Sequence, residues 1–215
     1  MLLTLSLCVF LVPAQLPMSA EACFITQYQH PRFHPLPSTP FNSNCGPASL
    51  AMVLKAFKLV SPVMEPEAMI SLARRAMTGS ELPGSWTYPD QILAAAAAFG
   101  LKVRKVWGIE GIRTAMSRPG RLVIANLNPT PAYLEQLTQP YDGGHFAVIM
   151  AFEGDQVTLN DPLASRPAVT VTKQSLAIAL TRNLGPGIPP YNGGIELWSP
   201  ALQTTANRIR ARDPL

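Results

Sequence analysis

Leu50, Val53, Leu54 and Phe57 follow the i, i+3, i+4, i+7 spacing of one helix face, which predicts a buried helix. That helix opens at Asn44-Cys45-Gly46-Pro47-Ala48. Asn44 or Ser43 can cap it, and Pro47 lies in the first turn, where a missing N–H costs nothing. A second helix is expected from Pro66 to Met77. A third is expected from Pro89 to Phe99, with Thr87 as its cap and Gly100 as its stop. After Gly100 the pattern changes to short apolar runs. These predict strands over Leu101 to Val106, Leu122 to Asn126 and His145 to Phe152. Gln156 to Asn160 returns from the last of these across Glu153-Gly154-Asp155 as a hairpin, and Ala168 to Thr172 is a further strand. Short helices are expected over Gly111 to Ser117 and Gln174 to Arg182. Phe24 to Tyr28 reads as an extended strand or arm that leads into a loop holding Pro31, Pro35, Pro37 and Pro40. Asn128 to Gly144 and Gly185 to Gly194 read as loops. Helices first and antiparallel strands later indicate an α+β fold.

Composition narrows the class. The 215 residues are 47% hydrophobic, as in ordinary globular proteins. Only 14% are charged, which excludes a coiled coil or a charge-driven disordered chain. The 22 prolines, twice the share of about 5% in average proteins, require long irregular connections. A net charge of +4, spread along the chain, argues against a nucleic-acid partner. The apolar run from Met1 to Val12 is shorter than the roughly 20 residues that span a membrane. It suits a signal peptide with small-residue cleavage after Ala20 or Ala22, although no Lys or Arg precedes it.

The expected organisation is therefore a signal peptide over 1–22, a domain over 23–184, and a loop and C-terminal extension over 185–215. The protein would be exported, with no membrane span after the signal is removed. Cleavage after Ala22 would make Cys23 the first residue, a position that can carry a lipid, though Glu21 fits a lipoprotein signal badly. Loss of Cys8 would leave Cys23 and Cys45, which an oxidising compartment could join as a disulfide. In that case both cysteines are structural.

The candidate chemistry gathers in the same elements. Cys45 stands where a loop enters a helix N-terminus, a position that favours an anion. Gly46 removes bulk beside the sulfur. His145 opens an apolar strand directly after Gly143-Gly144, and Asp161 ends the partner strand of the same hairpin. A tight turn sets the start of one strand beside the end of the other, so His145 and Asp161 are neighbours. A carboxylate there can bind one imidazole nitrogen and leave the other to take a thiol proton.

These residues resemble a known family. Asn44 to Leu54, with its Asn-Cys-Gly-Pro start, is similar to the nucleophile helix of the bacteriocin-processing, double-glycine-type cysteine peptidases and their stand-alone papain-like relatives. Gly144-His145-Phe146 and Asn160-Asp161-Pro162 look like that family's histidine and aspartate strands. The resemblance covers roughly Phe24 to Arg182. It implies a papain-like fold with N-terminal helices packed on an antiparallel sheet. Cys45 would be the nucleophile, His145 the general base and acid, and Asp161 the orienting residue. The substrate would be a peptide or protein, and no metal or other cofactor is required. Many members carry an oxyanion glutamine about six residues before the cysteine, where this chain has Thr39. Gln27, or Gln29 close behind it, follows an extended segment in the expected order. Asn42 and Asn44 are outside candidates. Such a donor contributes about 2.7–4 kcal/mol.

Three other readings use the same residues. A thiol-dependent acyl transferase resembling phytochelatin synthases would show Ser-Pro after His-Phe, where this chain has Ala147-Val148. A zinc module of Cys23, His30, His34 and Cys45 matches no common ligand spacing. A catalytically inert binding domain on the same fold is the third.

Overall fold

The helix predicted around Leu50 forms, but it is buried on every side rather than along one stripe. In the computed structural model, residues 18–28, 44–81, 87–135, 143–181 and 192–201 are described. They form α1 (Ala20–Cys23), α2 (Cys45–Ala56), α3 (Pro66–Thr78), α4 (Pro89–Ala98), β1 (Lys102–Trp107), α5 (Gly108–Met116) and β2 (Leu122–Leu127). There follow α6 (Pro131–Leu134), β3 (His145–Glu153), β4 (Gln156–Asn160), β5 (Val169–Thr172), α7 (Lys173–Thr181) and β6 (Gly193–Trp198). In α2 every residue but Lys55 is buried. A helix apolar all round belongs inside a protein, and each fully buried Leu or Met contributes about 1.5–3 kcal/mol relative to exposure.

The strands make one antiparallel sheet in the order β1-β6-β2-β3-β4-β5. Its two faces bury two cores. On one face, α2, α3 and α4 pack over Leu122, Ile124, Phe146, Val148, Ile195 and Leu197. On the other, α5, α6 and α7 pack over Val123, Ala125, Ala147, Ile149, Val157 and Leu159. The N-terminal helices thus cover one face as expected, and the later helices cover the second. β2 is buried at all six positions, which explains the apolar run from Leu122 to Ala125.

The largest departure from expectation is β6. Gly193 and Gly194 read as the end of a loop, with everything after 184 outside the domain. Instead they begin a strand inserted between β1 and β2. Side chains at these positions would obstruct that insertion. A Cβ on Gly193 would lie 2.0 Å from the Val106 carbonyl oxygen, and one on Gly194 would lie 2.5 Å from Val123 Cγ1. The domain boundary at 184 is therefore corrected: the sheet needs residues up to Trp198.

The N-terminal boundary moves too. α1 crosses both expected cleavage positions. Ser19 Oγ caps it by accepting from Ala22 N, and Asn160 Nδ2 donates to Ala20 O at 2.7 Å. Ser19 to Tyr28 thus belong to the folded unit. Phe24 to Tyr28 forms no strand: it turns at Gln27-Tyr28, and Gln27 N–H bonds the Pro162 carbonyl at 2.9 Å. The expected cap of α4 also shifts by one residue, from Thr87 to Tyr88, whose N–H donates to Gln91 Oε1 at 2.9 Å.

Candidate active site

Cys45 is the first residue of α2 and only 6% exposed. Asn44, at the cap position, makes no side-chain cap bond. Its Oδ1 instead accepts from Arg74 Nε at 2.9 Å and from Arg74 Nη2. Gly46 is required by packing: a Cβ there would lie 2.3 Å from Thr87 Oγ1 and 3.5 Å from Phe146 Cδ2. Thr87, expected as a cap, thus closes one side of the first turn of α2. Ser49, one turn along, donates to the Phe146 carbonyl at 3.1 Å and ties the cysteine helix to the histidine strand.

The hairpin brings His145 and Asp161 together. Gly154-Asp155 forms the turn between Glu153 and Gln156, with Gly154 at φ 59°. His145 Nε2 lies 2.8 Å from Asp161 Oδ1, and both residues are fully buried. Asp161 Oδ1 also accepts from Leu163 N–H at 2.8 Å, and Oδ2 accepts from the Tyr133 hydroxyl at 2.6 Å. The Cys45 thiol acts on the imidazole as well, raising its pKa alongside Asp161. With Nε2 committed to Asp161, Nδ1 is the nitrogen left for the sulfur. Burial pushes the imidazole toward its neutral form. The charge and hydrogen bond of Asp161, joined by those of Cys45, outweigh burial and raise its pKa from 6.5 to about 10.

Gln27 is buried beside this group, its backbone fixed to the loop after Asp161. Its side chain bonds the Tyr28 hydroxyl. Burial raises the Tyr28 pKa, the bond to Gln27 opposes that, and the charges of Asp161 and Cys45 add to it. Gln29, Thr39 and Asn42 lie outside the described residues, as do His30 and His34 of the zinc reading. Among the described residues, no group of three or more His, Cys, Asp or Glu side chains could hold a metal. Cys23 and Cys45 are both free thiols, so no disulfide removes the sulfur. Cys23 is buried against Asn160, and burial raises its pKa to about 11. Among the described residues, no helix is long and apolar enough to cross a membrane.

Two residues escaped sequence reasoning. Tyr133 stands in α6, within the stretch expected as loop. Thr130-Pro131 is a helix-start signature that marks it, and Thr130 Oγ1 accepts from Tyr133 N–H at 3.3 Å. Arg74 occupies the buried stripe of α3 with Met69, Ile70, Ala73 and Met77. A cation on an apolar helix face was the available signal.

The model of the Peptidase_C39 like family matches residues 21–178. No curated protein matches the chain. Among solved structures, the chain is similar to a C39-like peptidase from Bacillus anthracis, at 16% identity and TM-score 0.51, over 81% of this chain and 92% of that one. The peptidase domain of Streptococcus ComA, a bifunctional ABC transporter, matches at 18% identity and TM-score 0.48, over 74% and 93%. A double glycine motif protease from an AMS/PCAT transporter, solved with its leader peptide, matches at 22% identity and TM-score 0.46, over 74% and 85%. At 16% identity the likeness to the Bacillus anthracis structure is one of fold.

Proposed function

The chain belongs to the Peptidase_C39 like family of cysteine peptidases, and from that premise we propose that it cleaves a peptide or amide bond through Cys45, His145 and Asp161. The observation that carries this reading is the buried imidazole with Asp161 at 2.8 Å on Nε2, on which Cys45 also acts electrostatically.

His145 takes the Cys45 proton, and the thiolate attacks the substrate carbonyl carbon. The carbonyl π pair moves to oxygen, where the backbone N–H of Cys45 and the side-chain amide of Gln27 stabilise it. The C–N bond breaks, the amine leaves with the proton from His145, and a thioester remains on Cys45. Water, giving a proton to His145, then attacks the thioester and releases the carboxylate product and the sulfur. Asp161 holds the ring throughout and balances its positive charge. An amine in place of water would give acyl transfer from the same thioester, and product analysis separates the two.

Iodoacetamide labelling near neutral pH, with mass mapping of the modified cysteine, tests the reading. Cys45 of the wild type should react at least about tenfold faster than Cys45 in His145→Ala or Asp161→Ala, as expected when a thiolate loses its activating pair. Cys23 should stay unlabelled. Equal, slow reaction of Cys45 in all three proteins would remove the catalytic assignment.

The proposal extends to export, supported by the apolar run from Met1 to Val12. Because Ser19 caps α1, cleavage upstream of it leaves the folded unit whole, and Val12-Pro13-Ala14 offers a small-residue site. The mass of the mature chain tests this: a start at Gln15 is expected, and an intact Met1 in the secreted or periplasmic fraction would refute it.

A further inference from the structure

A fully buried arginine needs compensation, because an unpaired charge in the interior costs several kcal/mol. Arg74 is 0% exposed, yet it lies on the same face of α3 as Ile70, Ala73 and Met77. Its fork reaches Asn44, the residue directly before Cys45, and both Nε and Nη2 donate to Asn44 Oδ1. An asparagine at a helix N-cap ordinarily spends that oxygen on an N–H of the first turn. Asn44 does not. Pro47 has no N–H, so the donors at the start of α2 are those of Cys45 and Gly46, and the cap consumes neither. This is the end of the helix at which an anion is favoured.

We propose that Arg74 is a positioning residue for the nucleophile: its buried guanidinium draws the Asn44 side chain off the N-terminus of α2 and stands as a fixed positive charge behind Cys45. The inference rests on the catalytic reading of Cys45 and deepens it. A second observation points the same way. Burial lowers the Arg74 pKa, and negative charge at Cys45 opposes that loss. The guanidinium therefore lies within Coulomb reach of Cys45. Arg74, His145 and Tyr28 are among the groups that feel charge at Cys45. Arg74 is the member of that set that stays cationic at every working pH.

The test is the pH profile of Cys45 alkylation by iodoacetamide in the full chain, with thermal melts, for wild type, Arg74→Gln, Arg74→Met and Arg74→Lys. The neutral variants should move the midpoint upward by about one pH unit, the scale expected when a nearby opposite charge is lost. Arg74→Lys, which keeps the charge, should restore most of that shift. An unmoved midpoint in a neutral variant with a native melt overturns the proposal. So does a lysine variant that behaves like the neutral ones, and so does loss of folding in both neutral variants, which would make Arg74 purely structural. A wild-type thiol that reacts no faster than a free cysteine would instead defeat the catalytic reading itself, so the two failures are distinguishable.

Discussion

Among the described residues, two carboxylates are fully buried, Asp161 at the end of β4 and Glu196 within β6. Their partners differ in kind. Asp161 is held by His145, Tyr133 and the Leu163 N–H, and the two side chains are also fully buried. Glu196 is held by arginines. Arg104 Nε lies 2.8 Å from Oε2, Arg118 Nη1 lies 3.3 Å from Oε1, and Arg121 stacks over Trp198 with its Nη1 3.6 Å from Oε1. The Arg104 and Arg118 side chains are 49% and 42% exposed. One carboxylate therefore faces a titrating imidazole away from water. The other faces three guanidinium groups, two of them half solvated and the third, Arg121, mostly buried. The first arrangement can move a proton, whereas the second only neutralises a charge that the sheet buries.

Replacing each carboxylate by its amide breaks the comparison most sharply. Asp161→Asn should lower kcat/KM on a peptide substrate by about 10³–10⁴-fold, the scale seen when a triad carboxylate is neutralised. Glu196→Gln should leave kcat/KM within about twofold and lower unfolding stability by about 1–3 kcal/mol, since charged hydrogen bonds become neutral ones. Denaturant unfolding and steady-state kinetics on both variants check this. A comparable kinetic loss in Glu196→Gln would mean that the arginine cluster also serves the reaction.

The pH dependence of stability sharpens the same contrast. The His145 pKa rises from 6.5 to about 10 on folding. Its imidazolium therefore contributes stability that is complete below about pH 6.5 and is lost as pH climbs through about 10. Guanidinium groups stay charged across that window and add no slope. Melting temperature should fall with rising pH more steeply in the wild type than in His145→Ala. Tyr133→Phe tests the same carboxylate from its other side. Burial and the Asp161 charge raise the Tyr133 pKa well above its usual 10, so the phenol remains a donor. Its loss should cost about 1.5–3 kcal/mol of stability. Alkylation of Cys45 should slow by less than tenfold, because His145 keeps its own bond to Asp161. Parallel melts across pH would show no difference between wild type and His145→Ala if the pair carried no proton-linked stability.

These contrasts also explain what the sequence made legible. The placement of Cys45, His145 and Asp161 could be read because each position is set locally, by a helix entrance and by a tight hairpin. β6 could not, because the need for Gly193 and Gly194 arises only when β1 and β2 press against them. Locally, two glycines read as a loop. Tyr133 and Arg74 were missed for a related reason. The partner of Tyr133 lies 28 positions away and that of Arg74 lies 30 positions away. Periodicity reports which face of a helix is buried, not which distant oxygen waits there. Asn44, like Ser43, reads locally as a cap, and the contact of its side chain with Arg74 of α3 takes the place of a cap bond. The anchoring of the Gln27 backbone to Pro162 is likewise a tertiary contact that no local pattern announces.

The smallest effect is expected at Arg104. Its side chain is half exposed, so removing it returns solvent to one edge of Glu196, while Arg118 and Arg121 remain within reach of the other oxygen. A half-solvated ion pair contributes at most about 1 kcal/mol after screening. Arg104→Ala should therefore lower unfolding stability by no more than that, with Cys45 alkylation unchanged. Added salt should shrink the difference further, since the guanidinium is exposed. The partners of Asp161 offer no such tolerance, because none of them can be replaced by water without opening the core. If Arg104→Ala instead cost about 3–5 kcal/mol, the range for a broken buried pair, the arginine cluster would be as sealed as the hairpin site. Solvent access would then no longer be what separates the two carboxylates, and the difference would have to rest on titration alone.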